Sequence, residues 1–183
     1  MGKLFLIADC HFGAKEVIRV FKRPFATVKE MDRVMTENWN RAVGPDDTVI
    51  IIGDFTYDTE DRKRLLAGLF GNKILILGNH DRGGPEAGAD HMVLAYLGQM
   101  LYLIHNPDHA PEGWKGWTVH GHHHWRMPDY PFIDGRWRTI NVACELIGYV
   151  PVDIDWILGL GIGTILRMET IDSEPVRRGI GGQ

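Results

Sequence analysis

Five short apolar runs constrain the fold of this 183-residue chain more than any other feature. They are residues 3–8, 48–52, 73–77, 100–104 and 117–119. Each run has the length of a strand, and two of them are rich in β-branched residues and bounded by turn formers. The sequence therefore predicts five buried strands.

Helical patterns separate the first three runs. Thr27 and Glu30 have capping-box spacing, and apolar residues follow at helical intervals until Gly44 and Pro45 end the pattern. In the next interval, Thr59 is expected to cap a second helix. The inner face of that helix is expected to carry Leu65, Leu66, Leu69 and Phe70. The order β-α-β-α-β predicts parallel strands with helices packed against them.

The pattern changes towards the C-terminus. Residues 136–143 and 163–169 are predicted to be further strands, with only a short helical segment near residues 153–158 between them. A second, partly antiparallel sheet is therefore expected. The sequence contains no internal repeat, so we expect one domain over residues 1–176 and a mobile tail over residues 177–183.

Charge and residue counts argue against several classes of function. A formal net charge of -4 gives no overall attraction to nucleic acid. Cys10 and Cys144 form no C-x-x-C pair, which argues against a disulfide framework and fits a reducing cytoplasm. Ser173 is the only serine, which disfavours a serine nucleophile. The first apolar run is too short for a signal peptide or a membrane span, so we predict a cytoplasmic protein without a membrane partner.

Each apolar run ends in side chains that can bind a cation. In chain order these are Asp9 and His11; Asp54; Asn79, His80 and Asp81; His105; and His120, His122, His123 and His124. In an open α/β sheet, side chains just beyond the carboxyl ends of neighbouring strands converge on one crevice. Imidazole, carboxylate and amide ligands without thiolates suit Zn, Mn, Fe, Co or Ni and disfavour a purely oxygen-liganded Ca or Mg site.

In five ordered blocks the sequence resembles the calcineurin-like metallophosphoesterases. The blocks are D-x-H, G-D, G-N-H-D, a lone His and G-H-x-H, and they extend from residue 4 to residue 124. The amino-acid sequence at residues 9–13, 23–25 and 38–40 is most similar to that of small bacterial and phage phosphoesterases of this group. Ala14 departs from the pattern, because many relatives carry a histidine there. The resemblance implies an α/β fold with two packed mixed β-sheets flanked by helices, a four-layer α/β/β/α sandwich.

The resemblance also implies a centre of two divalent or transition-metal ions, of which Mn, Ni, Zn and Fe are the candidates. The implied ligands are Asp9, His11 and His124 for one ion and Asn79, His105 and His122 for the other. Asp54 would bridge the two ions, which would hold a bridging hydroxide for in-line attack on phosphorus. His80 would contact the phosphate and protonate the leaving oxygen. Asp81 would orient the His80 imidazole and favour its charged form.

Other polar residues near these blocks have less specific roles. His120 and His123 are expected to support the ligands or to face the substrate, whereas His91 and His109 match no block and are expected on the surface. Strand alternation is expected to turn Cys10 away from its neighbours, as a small buried residue.

Two groups of aromatic and basic residues each allow two roles. One group either clamps a nucleotide near the metals or serves in packing, and it consists of Trp114, Trp117, Trp125 and Trp137 with Arg126, Arg136 and Arg138. Lys22 and Arg23 either bind phosphate or belong to a solvated loop turned by Pro24. The segments 81–100 and 106–115 are expected to line or cover the crevice.

The sequence thus leaves three functions open. The first is hydrolysis of a small phosphomonoester or phosphodiester, with a nucleotide as one candidate substrate. The second is a nuclease acting on polynucleotide ends, which the net charge and the lack of a DNA-binding appendage disfavour. The third is a non-catalytic scaffold of the same fold, which the retained ligands and His80 disfavour. A metallo-β-lactamase-type hydrolase requires an aspartate where His123 stands. The oligomeric state is left open.

Overall fold

The structure is a computed structural model that describes residues 2–56, 59–81, 88–125 and 129–171. Two short 3-10 turns, Pro107–His109 and Ile162–Thr164, accompany the regular elements. The elements are, in chain order, β1 (Leu4–Ile7), α1 (Lys15–Val20), α2 (Val28–Ala42), β2 (Thr48–Ile52), α3 (Thr59–Gly68), β3 (Asn72–Ile76), β4 (His91–Tyr96), β5 (Gln99–Ile104), β6 (Trp117–His120), β7 (Ile133–Asp134), β8 (Thr139–Asn141), β9 (Val152–Asp153), α4 (Ile154–Gly159) and β10 (Arg167–Met168).

The described strands form two mixed sheets. The first has the order β3-β2-β1-β9, in which β1, β2 and β3 are parallel and β9 is antiparallel to β1. The second has the order β10-β7-β8-β6-β5-β4, in which β5, β6 and β8 are parallel and the remaining pairs are antiparallel. The predicted α/β fold of two mixed sheets flanked by helices is confirmed, and the flanking helices are few.

A single cluster of buried apolar side chains joins the sheets. It includes Ile50 and Ile52 of the first sheet and Leu103, Val119 and Ile140 of the second, each at most 2% exposed. Within the described part of the chain, no helix combines the length and apolar character needed to cross a bilayer. The predicted 177–183 tail lies outside the described residues.

Helix α2 begins as its sequence predicts. The Thr27 hydroxyl accepts a hydrogen bond from the Glu30 amide at 3.1 Å, while the Glu30 carboxylate accepts one from the Ala26 amide at 2.8 Å. The helix ends at Ala42, just before the predicted Gly44.

Contacts to residues 68–70 hold α2 beside the end of α3. The buried Trp39 indole donates to the Phe70 carbonyl at 3.0 Å, and the Asn40 amide donates to the Gly68 carbonyl at 2.9 Å. Trp39 and Asn40 thus have a structural role, which is to join α2 to the chain at the end of α3.

The inner face of α3 differs from the predicted one. Leu69 is buried and Leu65 and Leu66 are partly buried, as predicted, but Phe70 lies beyond the end of the helix at Gly68 and is 50% exposed. Arg62 instead is buried, at 7% exposure. An ion-pair distance of 3.6 Å from its guanidinium to Asp81 explains why a charged residue occupies this face.

Three predictions for the second sheet are corrected. Only Thr139–Asn141 of the predicted strand 136–143 is a strand, because Arg136 and Trp137 lie in the turn between β7 and β8, where their amides donate to the Asp134 carboxylate. Only Arg167–Met168 of the predicted strand 163–169 is extended. The segment 81–100 was expected to line or cover the crevice and no strand was predicted within it, but it contains the edge strand β4, which pairs antiparallel with β5.

Replacing Thr27 with Ala should lower the free energy of unfolding by about 1 kcal/mol, because the first turn of α2 loses its capping hydroxyl. Urea denaturation followed by circular dichroism measures the change. Thr36→Ala is the matched control in the interior of the same helix, where alanine is the better helix former and no loss is expected. Equal stability of Thr27→Ala and the parent would contradict the capping role.

Candidate metal centre

The predicted ligands meet where the carboxyl ends of strands from both sheets come together. The predicted ligands that follow β1, β2 and β3 belong to the first sheet, and the predicted ligands that follow β5 and β6 belong to the second. The expectation of a crevice along one open sheet is therefore corrected. A backbone hydrogen bond from the Ala8 amide to the Val142 carbonyl, at 2.9 Å, ties the two sheet ends together beside this crevice.

One predicted ligand group is assembled as expected. Ligand atoms of Asp9, His11 and His124 lie within 4.8 Å of one another, and all three residues are buried. His124 Nε2 lies 3.6 Å from Asp9 Oδ1, and His11 Nε2 lies 3.9 Å from the same oxygen. The two imidazole rings are stacked with their centroids 5.3 Å apart. This arrangement can hold one metal ion.

Asp54 lies between this group and a second one. Its Oδ2 atom is 3.6 Å from His11 Nε2 and 3.4 Å from His105 Nε2. Ligand atoms of Asp9, Asp54 and His105 also lie within 4.8 Å of one another. Asp54 thus occupies the position between two clusters that a bridging carboxylate needs, and Asp9 borders both clusters rather than one.

The remaining predicted ligands surround the Asn79 amide oxygen. This oxygen lies 3.0 Å from His105 Nε2 and 2.9 Å from His122 Nδ1. The main-chain amide of His122 donates to Asp9 Oδ2 at 3.0 Å, which links the second group to the first. The structure therefore brings all seven predicted ligands into one region.

The backbone of this region is strained. Non-glycine residues seldom adopt positive φ angles, and each such residue costs on the order of 1–3 kcal/mol. Five predicted ligands do so: Asp9 (φ 56°), His11 (50°), Asp54 (54°), His122 (70°) and His124 (49°). Strain of this kind persists only where surrounding contacts hold it, and it concentrates at functional sites.

Two glycines let the backbone approach the carboxylates closely. A Cβ atom added to Gly78 would lie 2.2 Å from Asp54 Oδ1, and one added to Gly121 would lie 2.3 Å from Asp9 Oδ2. Both distances are far below van der Waals contact. Any larger residue at either position would therefore displace a predicted ligand.

Buried charge gives the ligands distinct protonation states. Burial opposes ionisation of Asp54, but the hydrogen bond and charge of His105 outweigh it and lower the pKa of Asp54 to about 2. Burial also opposes the charged form of His105, yet Asp54 and Asp9 raise the pKa of this imidazole to about 9. At His11 burial dominates and lowers the pKa to about 3, which leaves the neutral imidazole that metal binding requires.

Hydrogen bonds on the far ring nitrogens orient two of the imidazoles. His105 Nδ1 donates to the Ile52 carbonyl at 3.0 Å, which directs Nε2 towards Asp54. His124 Nδ1 lies 3.1 Å from both carboxylate oxygens of Glu145, which directs its Nε2 towards Asp9. Metal-binding histidines are held in this way, with one nitrogen bonded and the other facing the ion.

Sequence reasoning missed Glu145 and gave Arg23 the wrong surroundings. The Arg23 side chain is fully buried, donates to Glu145 at 2.8 Å, and donates to the carbonyls of Asp9 and Cys10 at 2.6 and 2.8 Å. Burial opposes ionisation of Glu145, but the charges of Arg23 and then His124 lower its pKa to about 2. Arg23 therefore neither binds phosphate from a loop nor faces solvent; its neighbour Lys22 is exposed. No spacing in the sequence connects Arg23 with Glu145.

The two predicted catalytic residues lie beside Asp54. His80 is exposed, its main-chain amide donates to Asp54 Oδ1 at 2.8 Å, and its ring centroid lies 5.5 Å from that of His11. The Asp81 carboxylate accepts hydrogen bonds from the amides of Asp54, Gly78 and Phe55 at 2.6, 2.9 and 3.1 Å. Asp81 thus joins the loops after β2 and β3, and its action on the His80 imidazole stays a prediction.

Phe21 forms part of one wall of the centre, and the sequence patterns did not indicate it. Its ring stacks on the His124 imidazole with centroids 3.5 Å apart. The Trp125 indole donates to the Phe21 carbonyl at 2.5 Å. The segment that follows α1 is thereby fixed beside the predicted ligand His124.

The other histidines differ in surroundings. His120 is completely buried, with Nδ1 2.8 Å from the Gly121 carbonyl, so of its two predicted roles the substrate-facing one is wrong and the supporting one stays a prediction. His123 stacks on Tyr130 with centroids 3.8 Å apart. His91 and His109 are exposed, as predicted.

Cys10 is buried, as predicted. The tryptophans are dispersed. Trp117 is buried in the core, whereas Trp114 and Trp137 line a cleft of their own. Arg126 lies outside the described residues.

Replacing Glu145 with Gln should weaken Mn²⁺ binding by about 10–100-fold, because His124 loses the carboxylate that orients it. Titration calorimetry of metal-stripped protein measures the affinity, and thermal unfolding reports whether the variant is folded. Glu37→Gln is the matched control, since Glu37 is exposed and pairs with Arg33 on α2. Unchanged affinity in a folded Glu145→Gln protein would contradict the orienting role.

Comparison with known proteins gives the chain its relatives. The Calcineurin-like phosphoesterase family model matches residues 2–157. The chain is 39% identical over 165 residues to the uncharacterized protein MJ1445 of Methanocaldococcus jannaschii, across 87% of this chain and 92% of that protein. It is 34% identical over 101 residues to the Gene 66 protein of Mycobacterium phage L5, across 52% of this chain and 48% of that protein.

A solved structure shares the fold. The protein of unknown function AQ665 from Aquifex aeolicus superposes with a TM-score of 0.68 at 24% identity, across 87% of this chain and 100% of that chain. The predicted resemblance is thus confirmed at the level of the family. The family match and the M. jannaschii relative show that this chain belongs to the calcineurin-like phosphoesterase family.

Proposed function

We propose that the chain is a metal-dependent phosphoesterase whose centre holds two divalent ions. The observation that carries the proposal is the position of Asp54 Oδ2, which lies within 3.6 Å of imidazole nitrogens from both ligand groups. The donor set of carboxylate, imidazole and amide atoms suits Mn, Fe, Ni or Zn. The close approach of Gly78 and Gly121 to Asp54 and Asp9 fits residues held in place for ligation.

Asp9, His11 and His124 would hold one ion, and Asn79, His105 and His122 the other, with Asp54 between them. Such a pair of ions polarises a phosphate ester, lowers the pKa of water and offsets the negative charge that develops during in-line displacement. The ligands themselves are preorganised, because strained backbone and buried hydrogen bonds fix them before substrate arrives.

His80 would supply a proton to the leaving oxygen. It is exposed at the rim of the centre, 5.5 Å between ring centroids from His11, so a phosphate held by the ions would meet it. Its main-chain bond to Asp54 fixes its distance from the bridging carboxylate. Asp81, which holds the loops after β2 and β3 together, would fix its neighbour His80 in this position.

The proposed substrate is a small phosphomonoester or phosphodiester, with a nucleotide as one candidate. The retained metal-centre residues and the exposed His80 imidazole beside them support an enzyme over a scaffold of the same fold. Hydrolysis of p-nitrophenyl phosphate and of bis-p-nitrophenyl phosphate separates a preference for monoesters from one for diesters.

Metal-stripped protein should be inactive towards both compounds and should regain turnover with Mn²⁺, Ni²⁺, Zn²⁺ or Fe²⁺. His80→Ala should keep its metal affinity but lose about 10²–10⁴-fold in kcat, because the leaving oxygen is no longer protonated by a positioned acid. Asp54→Ala should lose both metal affinity and turnover.

His91→Ala serves as the histidine control, since His91 is exposed on β4 with its ring against Tyr102 and matches no ligand block, and its turnover should match that of the parent. Absence of turnover with every metal, in folded protein that binds two ions, would count against hydrolysis of simple esters. Equal turnover of His80→Ala and the parent would remove His80 from the mechanism.

A further inference from the structure

A large cleft lies beside the second sheet, apart from the predicted metal ligands. It has a volume of about 1130 Å³ and is bounded by the loop after β5, by the start of β6 and by the turn between β7 and β8. Sites for single small molecules usually measure about 300–1000 Å³. The size of this cleft therefore suits a ligand longer than one small molecule.

Aromatic rings line the cleft at separate points along it. Trp137 is 72% exposed at the tip of the β7–β8 turn, although large apolar side chains are usually covered. Trp114 lies on the opposite loop, where its indole donates to the Trp117 carbonyl at 3.3 Å and its ring packs 5.4 Å from that of Tyr102. One ring is thus freely presented and another is rigidly held, as in surfaces on which bases stack.

Positive charge accompanies the rings. Four cationic side chains line the cleft: Lys115, Arg136, Arg138 and Arg167. Three carboxylates also line it, but Asp134 and Arg167 lie 3.7 Å apart, and Arg167 also donates to Glu169 at 2.5 Å. Lys115, Arg136 and Arg138 then outnumber the two remaining carboxylates, which are Asp108 and Asp129. In a chain of net charge -4, this local excess of cations favours an anionic ligand.

The cleft adjoins the metal centre. Asp108 and Tyr130 line it, and the Tyr130 hydroxyl donates to Asp108 at 2.9 Å. The Tyr130 ring stacks on His123, which lies in sequence between the predicted ligands His122 and His124. A molecule bound in the cleft would therefore reach the loop that carries the predicted metal-binding residues His122 and His124.

We propose that this cleft binds single-stranded nucleic acid, with a base stacked on Trp137 and backbone phosphates beside Arg136 and Arg138. Stacking requires unpaired bases, which duplexes do not offer, and the exposed ring between two arginines matches the alternation of base and phosphate. The inference rests on the proposed function only in taking a phosphodiester as the ligand. Binding is therefore measured separately from hydrolysis.

The test measures the affinity of the full chain for a 5′-labelled oligothymidylate of twelve nucleotides by fluorescence anisotropy. EDTA is present to prevent turnover. Trp137→Ala should weaken binding by about tenfold, the effect of losing one stacked base. Arg136→Glu should weaken it further, since it reverses a charge beside the backbone. Raising the salt from 50 to 200 mM should weaken binding of the parent by about 20-fold, as expected for roughly three phosphate contacts.

Trp156→Ala is the matched control, because Trp156 is 42% exposed on α4 and does not line the cleft. It should bind the oligonucleotide like the parent, and Trp137→Ala should hydrolyse bis-p-nitrophenyl phosphate like the parent. Equal binding by Trp137→Ala and the parent would overturn the inference, as would equal affinity for duplex DNA or for thymidine monophosphate. Either result, with hydrolysis intact, would leave the proposed function standing.

Discussion

The position of Asp54 is the constraint on which the rest of the centre depends. Its carboxylate lies between His11 and His105, while its own backbone amide is held by Asp81. It adopts a left-handed conformation that only surrounding contacts can maintain. Three features fix this one side chain: the parallel strands, the close approach of the Gly78 backbone, and the hydrogen bonds that the Asp81 carboxylate accepts from the amides of Asp54 and Gly78.

Charge compensation explains why further buried, charged side chains surround the centre. Buried carboxylates and imidazoles are tolerated only where they are paired or bind cations. The Arg23, Glu145 and His124 side chains form a chain of ionic contacts that extends from the first ligand group into the core. Removing one partner of such a buried pair leaves the other charge uncompensated, at a cost of about 3–5 kcal/mol. Breaking this network would therefore destabilise the protein, and the network also orients the predicted ligand His124.

The three parallel strands of the first sheet and the residues at their ends were predictable because their signals are local, whereas the short strand β9 was not predicted. Short apolar runs gave the strands, and a polar block at the end of each gave residues such as Asp9 and Asn79. Strand β4 was missed; its positions alternate between exposed and partly buried at a sheet edge, so it is not one of the buried strands that the sequence predicts. Glu145 and the burial of Arg23 depend on contacts across 122 positions of the chain, which no local pattern encodes.

The most direct measurement is anomalous diffraction from crystals grown with Mn²⁺. The account predicts two anomalous peaks, one in contact with His124 Nε2 and one with His105 Nε2, and both in contact with the Asp54 carboxylate. A single peak, or peaks away from Asp54, would contradict a two-ion centre built around this residue.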